Sequence, residues 1–335
     1  MQAPSSPPAS AGSDAANLHG IVAMLASMAA FTANDVCVKL ASERVPLGEI
    51  IFLRNGIATM FLVVGLFLAY RSIDAVRSAL GLHAIRSSPG LARLLSWRMA
   101  GEMFATLLFL AALIRMPIAD ITAIGQFTPL AVTAGAALFL NEPVGWRRWL
   151  AALAGLVGVL LIVRPGSTAF TPAAFLALGS IGFVVLRDLA TRLIPTAAMP
   201  TVTLTLMSAS SVTVSGLLLM PFETWVRPSS GDLLLLMTAG FFLLVAYAFI
   251  IVAMRVGEVA IIAPFRYSVI IWALAAGHLI WNELPDLISC AGIAIVITAG
   301  LYTFHRERLK RRFAAERMNK PTRVSSAPAP GSDRA

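Results

Sequence analysis

The feature that most constrains this chain is a series of ten apolar blocks, each about 15–24 residues long, separated by short polar stretches. A helix rising 1.5 Å per residue needs about 20 apolar residues to cross roughly 30 Å of hydrocarbon. The blocks predict spans near 18–40, 48–69, 98–115, 118–140, 146–163, 171–188, 200–222, 232–254, 257–280 and 285–304. Composition points the same way: 58% of the 335 residues are hydrophobic and 13% charged, where a soluble domain holds about 25% charge. The fold class expected is an all-α integral membrane protein with ten transmembrane helices; the fifth and sixth blocks are short and bounded by Arg164-Pro165-Gly166, which makes a nine- or eight-span count the rival. Both cysteines, Cys37 and Cys290, lie inside apolar blocks. That placement offers neither a disulfide framework nor a CxxC metal or redox site.

The net charge is +9, from 26 Lys and Arg against 17 Asp and Glu. With both termini cytoplasmic, 19 of the 26 cations fall on the inner side and four on the outer, while Lys39, Arg54 and Arg266 lie within spans. Positive loops are retained in the cytoplasm, so the surplus encodes orientation. Nine cations follow residue 304, and such a tail suits contact with anionic lipid rather than nucleic acid. Residues 1–17 read as a disordered lead, without the basic start and apolar run of a signal peptide. The arginine-rich segment 71–97 reads as a solvated connector or as an interfacial amphipathic helix.

An internal repeat is visible. Arg115 to Pro143 resembles Arg255 to Pro285, at an offset of 140 residues at the arginines, 141 at the Asn-Glu pairs and 142 at the prolines. The turn Asn141-Glu142-Pro143 is followed by Arg147 and Arg148, whereas Asn282-Glu283-Leu284-Pro285 has no cation beside it. The first turn is therefore expected inside and the second outside. An odd number of spans per half forces that inversion, and inverted duplication is a signature of secondary transporters. The organisation expected is residues 1–17 as lead, 18–163 and 164–304 as two inverted five-helix repeats, and 305–335 as a basic cytoplasmic tail.

The runs LNEPVGWRRWLAALAGLVGVLLIVRPG and APFRYSVIIWALAAGHLIWNELPDLISCAGIAIVITAG resemble the two repeats of the EamA group in the drug/metabolite transporter superfamily. The stretch Glu49-Ile-Ile-Phe-Leu-Arg54 is similar to that family's acidic-then-Phe-Arg opening. The resemblance covers residues 18–304. It implies ten helices in two inverted halves, and transport of small metabolites such as amino acids, amines or riboflavin-like vitamins across a bacterial cytoplasmic (inner) membrane.

Ionisable groups at bilayer depth are costly and mark functional sites. Asp35 and Arg54 share the outer leaflet and are expected to pair, as a helix lock or as a gating or coupling element. Lys39 is the competing i,i+4 partner of Asp35, or snorkels to the surface. Gln126 and Arg266 lie near midplane beside Pro129 and Pro264, and the offset of 140 maps Gln126 onto Arg266 and Phe127 onto Tyr267. Gln126, Arg266, Tyr267, Trp272 and Asn34 are the expected substrate-binding residues. Glu102 is a candidate inner-leaflet partner of Arg266 or a protonatable coupling group, with solvation as the plain alternative. His278 reads as solvated or capping, Asp120, Arg187, Asp188 and Glu258 as flanking charges, and Glu142 and Glu283 as turn and helix-start residues.

No nucleophile–base cluster, HExxH or GxxxxGK[ST] occurs, so neither an enzyme nor an ATP-driven pump is expected. No cofactor and no metal is called for. The expected partners are a small-molecule substrate and membrane lipids, with a homodimer as a further candidate. The reading that competes with a carrier is a passive channel or a non-transporting receptor or scaffold.

Overall fold

The computed structural model describes residues 11–70, 88–165, 172–195, 199–256 and 258–318. Within them lie helices α1 (Ala11–Ala41), α2 (Leu47–Tyr70), α3 (Pro89–Leu113), α4 (Ile118–Gly125), α5 (Thr128–Phe139), α6 (Trp146–Val163), α7 (Ala173–Leu193), α8 (Thr201–Leu219), α9 (Ser230–Val256), α10 (Val259–Ile262), α11 (Ser268–Trp281) and α12 (Leu287–Met318). Helices α4 and α5 together make one span. So do α10, a 3-10 turn over Ala263–Tyr267, and α11, which brings the number of membrane-length spans to ten. Large apolar side chains such as Phe139, Leu279 and Leu287 are exposed on them. Lipid is the solvent that tolerates such a surface.

Several boundaries differ from expectation. α1 begins at Ala11, inside the stretch expected to be disordered, while residues 1–10 lie outside the described residues. α3 begins at Pro89 rather than 98, because Ser88 caps it: the Leu91 N–H donates to Ser88 Oγ at 3.4 Å, and proline at the first helical position has no donor to leave unpaired. Residues 71–87, most of the segment in which an interfacial helix was an option, lie outside the described residues, as do 319–335 of the tail. Asp286, not Glu283, starts α12, its carboxylate accepting from the Ser289 N–H at 3.0 Å.

The helices pair in a pattern that survives exchanging the two halves. α1 packs on α9 as α7 packs on α3; α1 packs on α11 as α7 packs on α5; α2 packs on α9 as α8 packs on α3. α2 with α8, and α6 with α12, pair with their own counterparts. Both self-pairs close on glycines. A Cβ on Gly216 would lie 2.6 Å from the Gly48 carbonyl oxygen, and one on Gly158 would lie 2.8 Å from that of Gly292. Small residues let backbones approach this closely in lipid, where dispersion contacts drive helix association.

The direction of these pairs settles the hand of the duplication. Gly48 meets Leu219, Phe52 meets Gly216 and Gly56 meets Thr213, so α2 and α8 run antiparallel. Counterparts that pack antiparallel are related by a two-fold axis perpendicular to them, which here lies in the membrane plane. The halves are therefore inverted with respect to each other, as the two Asn-Glu turns suggested.

Candidate functional site

Two broken spans meet at the centre, with α4 packed on α11. The fourth span is interrupted at Gln126-Phe127, where α4 gives way to a helix starting Thr128-Pro129, and the ninth is interrupted by the 3-10 turn carrying Pro264, Arg266 and Tyr267. Proline has no N–H to give the ladder, so each break frees carbonyls that must be covered by protein or a wet cavity. The equivalence of Gln126 with Arg266 is thus realised in the backbone. In each half the aromatic residue at the break wedges against a glycine on that half's last helix: the Phe127 ring against Gly155, and the Tyr267 hydroxyl against Gly300.

That wedge corrects one expectation. Tyr267 does not face outward to a substrate: it is 6% exposed, sits edge-on to Phe304 at 6.4 Å, and its hydroxyl has no hydrogen-bond partner among the described residues. Arg266, on the other side of the same turn, and Trp272 are exposed, and Gln126 is half-buried.

The charged groups on the neighbouring helices form a chain. Asn34 and Arg54 are buried; Arg54 Nη1 donates to Asn34 Oδ1 at 3.4 Å, and Asn34 Nδ2 donates to Asp35 Oδ1 at 2.8 Å. Asp35 and Arg54 are thus linked through Asn34 rather than in a direct ion pair, and Asp35 makes no ion pair among the described residues. Glu102 pairs with Arg187 at 3.3 Å and not with Arg266, and Arg187 Nε also donates to Asp188 at 2.8 Å. Arg187 and Asp188 are therefore part of the interior network rather than flanking charges. Tyr247 on α9 stands out only in the structure. It is 51% exposed and stands edge-on to Phe31 of α1 at 5.4 Å. α1 packs on α9 and on the ninth-span break, α2 on α9 and α3, and α3 on α7, so these groups lie on one connected set of helices.

Lys39 neither pairs with Asp35 nor snorkels alone. Its Nζ donates to the Met116 carbonyl at 3.0 Å and to Glu283 Oε2 at 3.4 Å, and lies 4.7 Å from the centre of the Trp281 ring. The reason is geometric: Asp35 turns to Asn34 on its own helix, while the end of α1 meets the turn that holds Glu283. Beside that turn a cleft of about 230 Å³ is lined by Asp120, Ile162, Arg164, Glu283, Asp286 and other residues. Arg164 pairs with Asp286 and with Ser289 Oγ, and its guanidinium holds the Asp286 carboxyl down to about 2. Among the described residues no group of three potential metal ligands is gathered.

Extending the repeat to the first helices would have found several of these residues. Asp35 corresponds to Asp188 and Lys39 to Arg192 at an offset of 153. The offset falls to about 140 after the connector that separates α2 from α3, which is longer than the one between α8 and α9. A constant offset therefore hides the match.

Ten spans, two of them broken at equivalent points around a charged interior, define a polytopic membrane transporter. Residues 18–164 match the EamA-like transporter family, in agreement with the resemblance to an EamA-type transporter of the drug/metabolite transporter superfamily. It is similar to the S-adenosylmethionine uptake transporter of Rickettsia prowazekii, 26% identical over 87% of this chain and 94% of that one. It is also similar to the pseudopaline exporter of Pseudomonas aeruginosa, 26% identical over 83% and 93%, and to the riboflavin transporter of Vibrio cholerae, 28% identical over 59% and 66%. A solved crystal structure superposes with a TM-score of 0.56 over 88% of this chain and 99% of that chain, at 18% identity, which shows the shared fold. The protein is a multi-pass inner-membrane transporter of a small metabolite.

Proposed function

We propose that the chain is a secondary carrier, and not an enzyme, that moves a zwitterionic or cationic metabolite by alternating access, with both termini in the cytoplasm. One observation carries this reading. Helices of both inverted halves meet here and carry an acid with no ion-pair partner among the described residues, Asp35, together with an exposed arginine at a helix break, Arg266. Asp35, with the hydroxyl and ring face of Tyr247, suits an ammonium or other onium group. Arg266 presents a fork of donors to a carboxylate. In this reading Gln126, at the break equivalent to that of Arg266, and Trp272 complete the substrate site, and Glu102 is held by Arg187. An amino-acid head group, such as that of S-adenosylmethionine, has both charges. The lipid bilayer and the substrate are its partners; a homodimer is an additional proposal, and nucleic acid has no part.

Proteoliposomes loaded with a candidate amino-acid-type substrate test this. A carrier accumulates labelled substrate transiently by counterflow, and the absence of counterflow overturns the reading in favour of a passive channel or a receptor. Arg266→Ala is expected to abolish flux while leaving insertion intact; normal flux in that variant removes Arg266 from the site. Asp35→Asn is expected to flatten the pH dependence of transport, and an unchanged profile takes Asp35 out of coupling.

A further inference from the structure

Six cross-helix or local ion pairs occur among the described residues, and two of them are counterparts under exchange of the halves. Glu142 pairs with Arg192, its two carboxylate oxygens at 3.0 and 3.1 Å from Arg192 Nη1, and Glu283 pairs with Lys39 at 3.4 Å. Each acid follows an asparagine held in the left-handed region at φ 52°. Each also donates its own N–H six residues back, Glu142 to Ala136 at 3.3 Å and Glu283 to Gly277 at 3.0 Å. This is the Schellman closure of a helix end, and it aims both carboxylates in the same way. Each partner is a cation in the last turn of the first helix of the opposite half, Arg192 on α7 and Lys39 on α1. A two-fold axis in the membrane plane places these counterparts at opposite faces of the membrane.

We infer that Glu142–Arg192 and Lys39–Glu283 are the two latches of the transport cycle, and that each cycle opens one while the other stays closed. The inference rests on the alternating-access reading and adds the residues that hold each end. Rocking one inverted half against the other separates the ends of the opposite halves at one face and presses them together at the other. Each pair bridges the halves at such an end. Both are closed here, but unequally: the Lys39 and Glu283 side chains are 12% and 34% exposed, those of Arg192 and Glu142 45% and 46%. The Glu283 latch is therefore the stronger. Removing its charge is expected to shift access by roughly tenfold, as for a charged hydrogen bond withdrawn from solvent. The solvated Glu142 latch is worth roughly twofold.

The test reads the side from which the interior is reached. Tyr247→Cys is introduced as reporter in a chain carrying Cys37→Ser and Cys290→Ser, and labelled with a membrane-impermeant maleimide in vesicles of each orientation. Glu283→Gln is expected to raise labelling from the Glu283 face roughly tenfold, and Glu142→Gln to raise it from the opposite face roughly twofold. The exchanged pair Lys39→Glu with Glu283→Lys is expected to return labelling to the parental rate, and it keeps the interior charge balance if the single variant accumulates poorly. Opening of the same face by both variants, no change in either, or failure of the exchanged pair overturns the latch assignment. Counterflow by the wild-type chain is measured in parallel. Counterflow without a labelling shift overturns the latches alone, whereas a labelling shift without counterflow overturns the carrier reading alone.

Discussion

The two halves place the same devices at equivalent points and then bury them differently. Glu142 and Glu283 end equivalent helices in the same backbone conformation, yet Glu142 meets its arginine in solvent while Glu283 meets a lysine also held by a carbonyl and an indole ring. Phe127 and Tyr267 wedge equivalent breaks, yet Phe127 is half-buried and Tyr267 is almost wholly enclosed against Gly300. The last helix of the first half has Gly145 at its N-cap, with no side chain to bond, whereas Asp286 caps the last helix of the second. Duplication thus supplies a symmetric scaffold, and the second half's turn is the more firmly anchored copy.

The contrast can be broken from its strongest point downward. Gly300→Ala places a methyl where the Tyr267 hydroxyl sits, and overpacking of this kind costs about 1–3 kcal/mol. Gly155→Ala meets the movable ends of Leu130 and the Phe127 ring and is expected to cost about half as much. Thermal unfolding of the two variants in detergent compares them directly, and equal losses would remove the asymmetry of the wedges.

Next comes the lysine. Lys39→Ala leaves Glu283 and the Met116 carbonyl without their shared donor, and is expected to lower stability by about 1–2 kcal/mol. Arg192→Ala, at an exposed pair, is expected to stay within about 0.5 kcal/mol. The same melts decide this: a larger loss for Arg192→Ala would reverse the ranking of the two ends.

A smaller effect is expected at the tyrosine. Its buried hydroxyl has no partner among the described residues, so Tyr267→Phe removes a desolvated polar group. Stability should hold or rise by a few tenths of a kcal/mol, and flux should be unchanged. Loss of transport in Tyr267→Phe would return the hydroxyl to the substrate path.

The smallest effect expected is a pH dependence. The Asp286 carboxyl is depressed from 3.8 to about 2, chiefly by the hydrogen bond from Arg164. A depressed carboxyl stabilises the fold above its unfolded pKa and loses that contribution as pH falls through the folded one. The melting difference between the wild type and Asp286→Asn should therefore be constant from pH 8 to about 5 and shrink only below about 4. A difference that changes between pH 8 and 6 would show that another group carries it.

Much of this was legible in the linear chain. Apolar run length placed the ten spans, and the Asn-Glu turns announced the repeat. The prolines beside Gln126 and Arg266 marked both breaks. Less legible were the partners. Depth alone offers Arg266 as a partner for Glu102, but Arg187 lies on the helix that packs against α3 and pairs with it instead. Tyr247 sits in an apolar run on α9 with nothing local to distinguish it, and only the approach of α1, through Phe31, places it in the charged interior.

By itself the sequence determined where the chain crosses the membrane and that its two halves are duplicates of opposite orientation. Hydrophobic transfer is local and additive along a helix, and the period of a duplication is written in the residues. Tertiary structure alone decided which charges meet and which copy of each device is buried. An ion pair acts over 3–4 Å, and Lys39 and Glu283 are 244 residues apart in the chain. Their meeting depends on the antiparallel packing of whole helices, which no local pattern encodes.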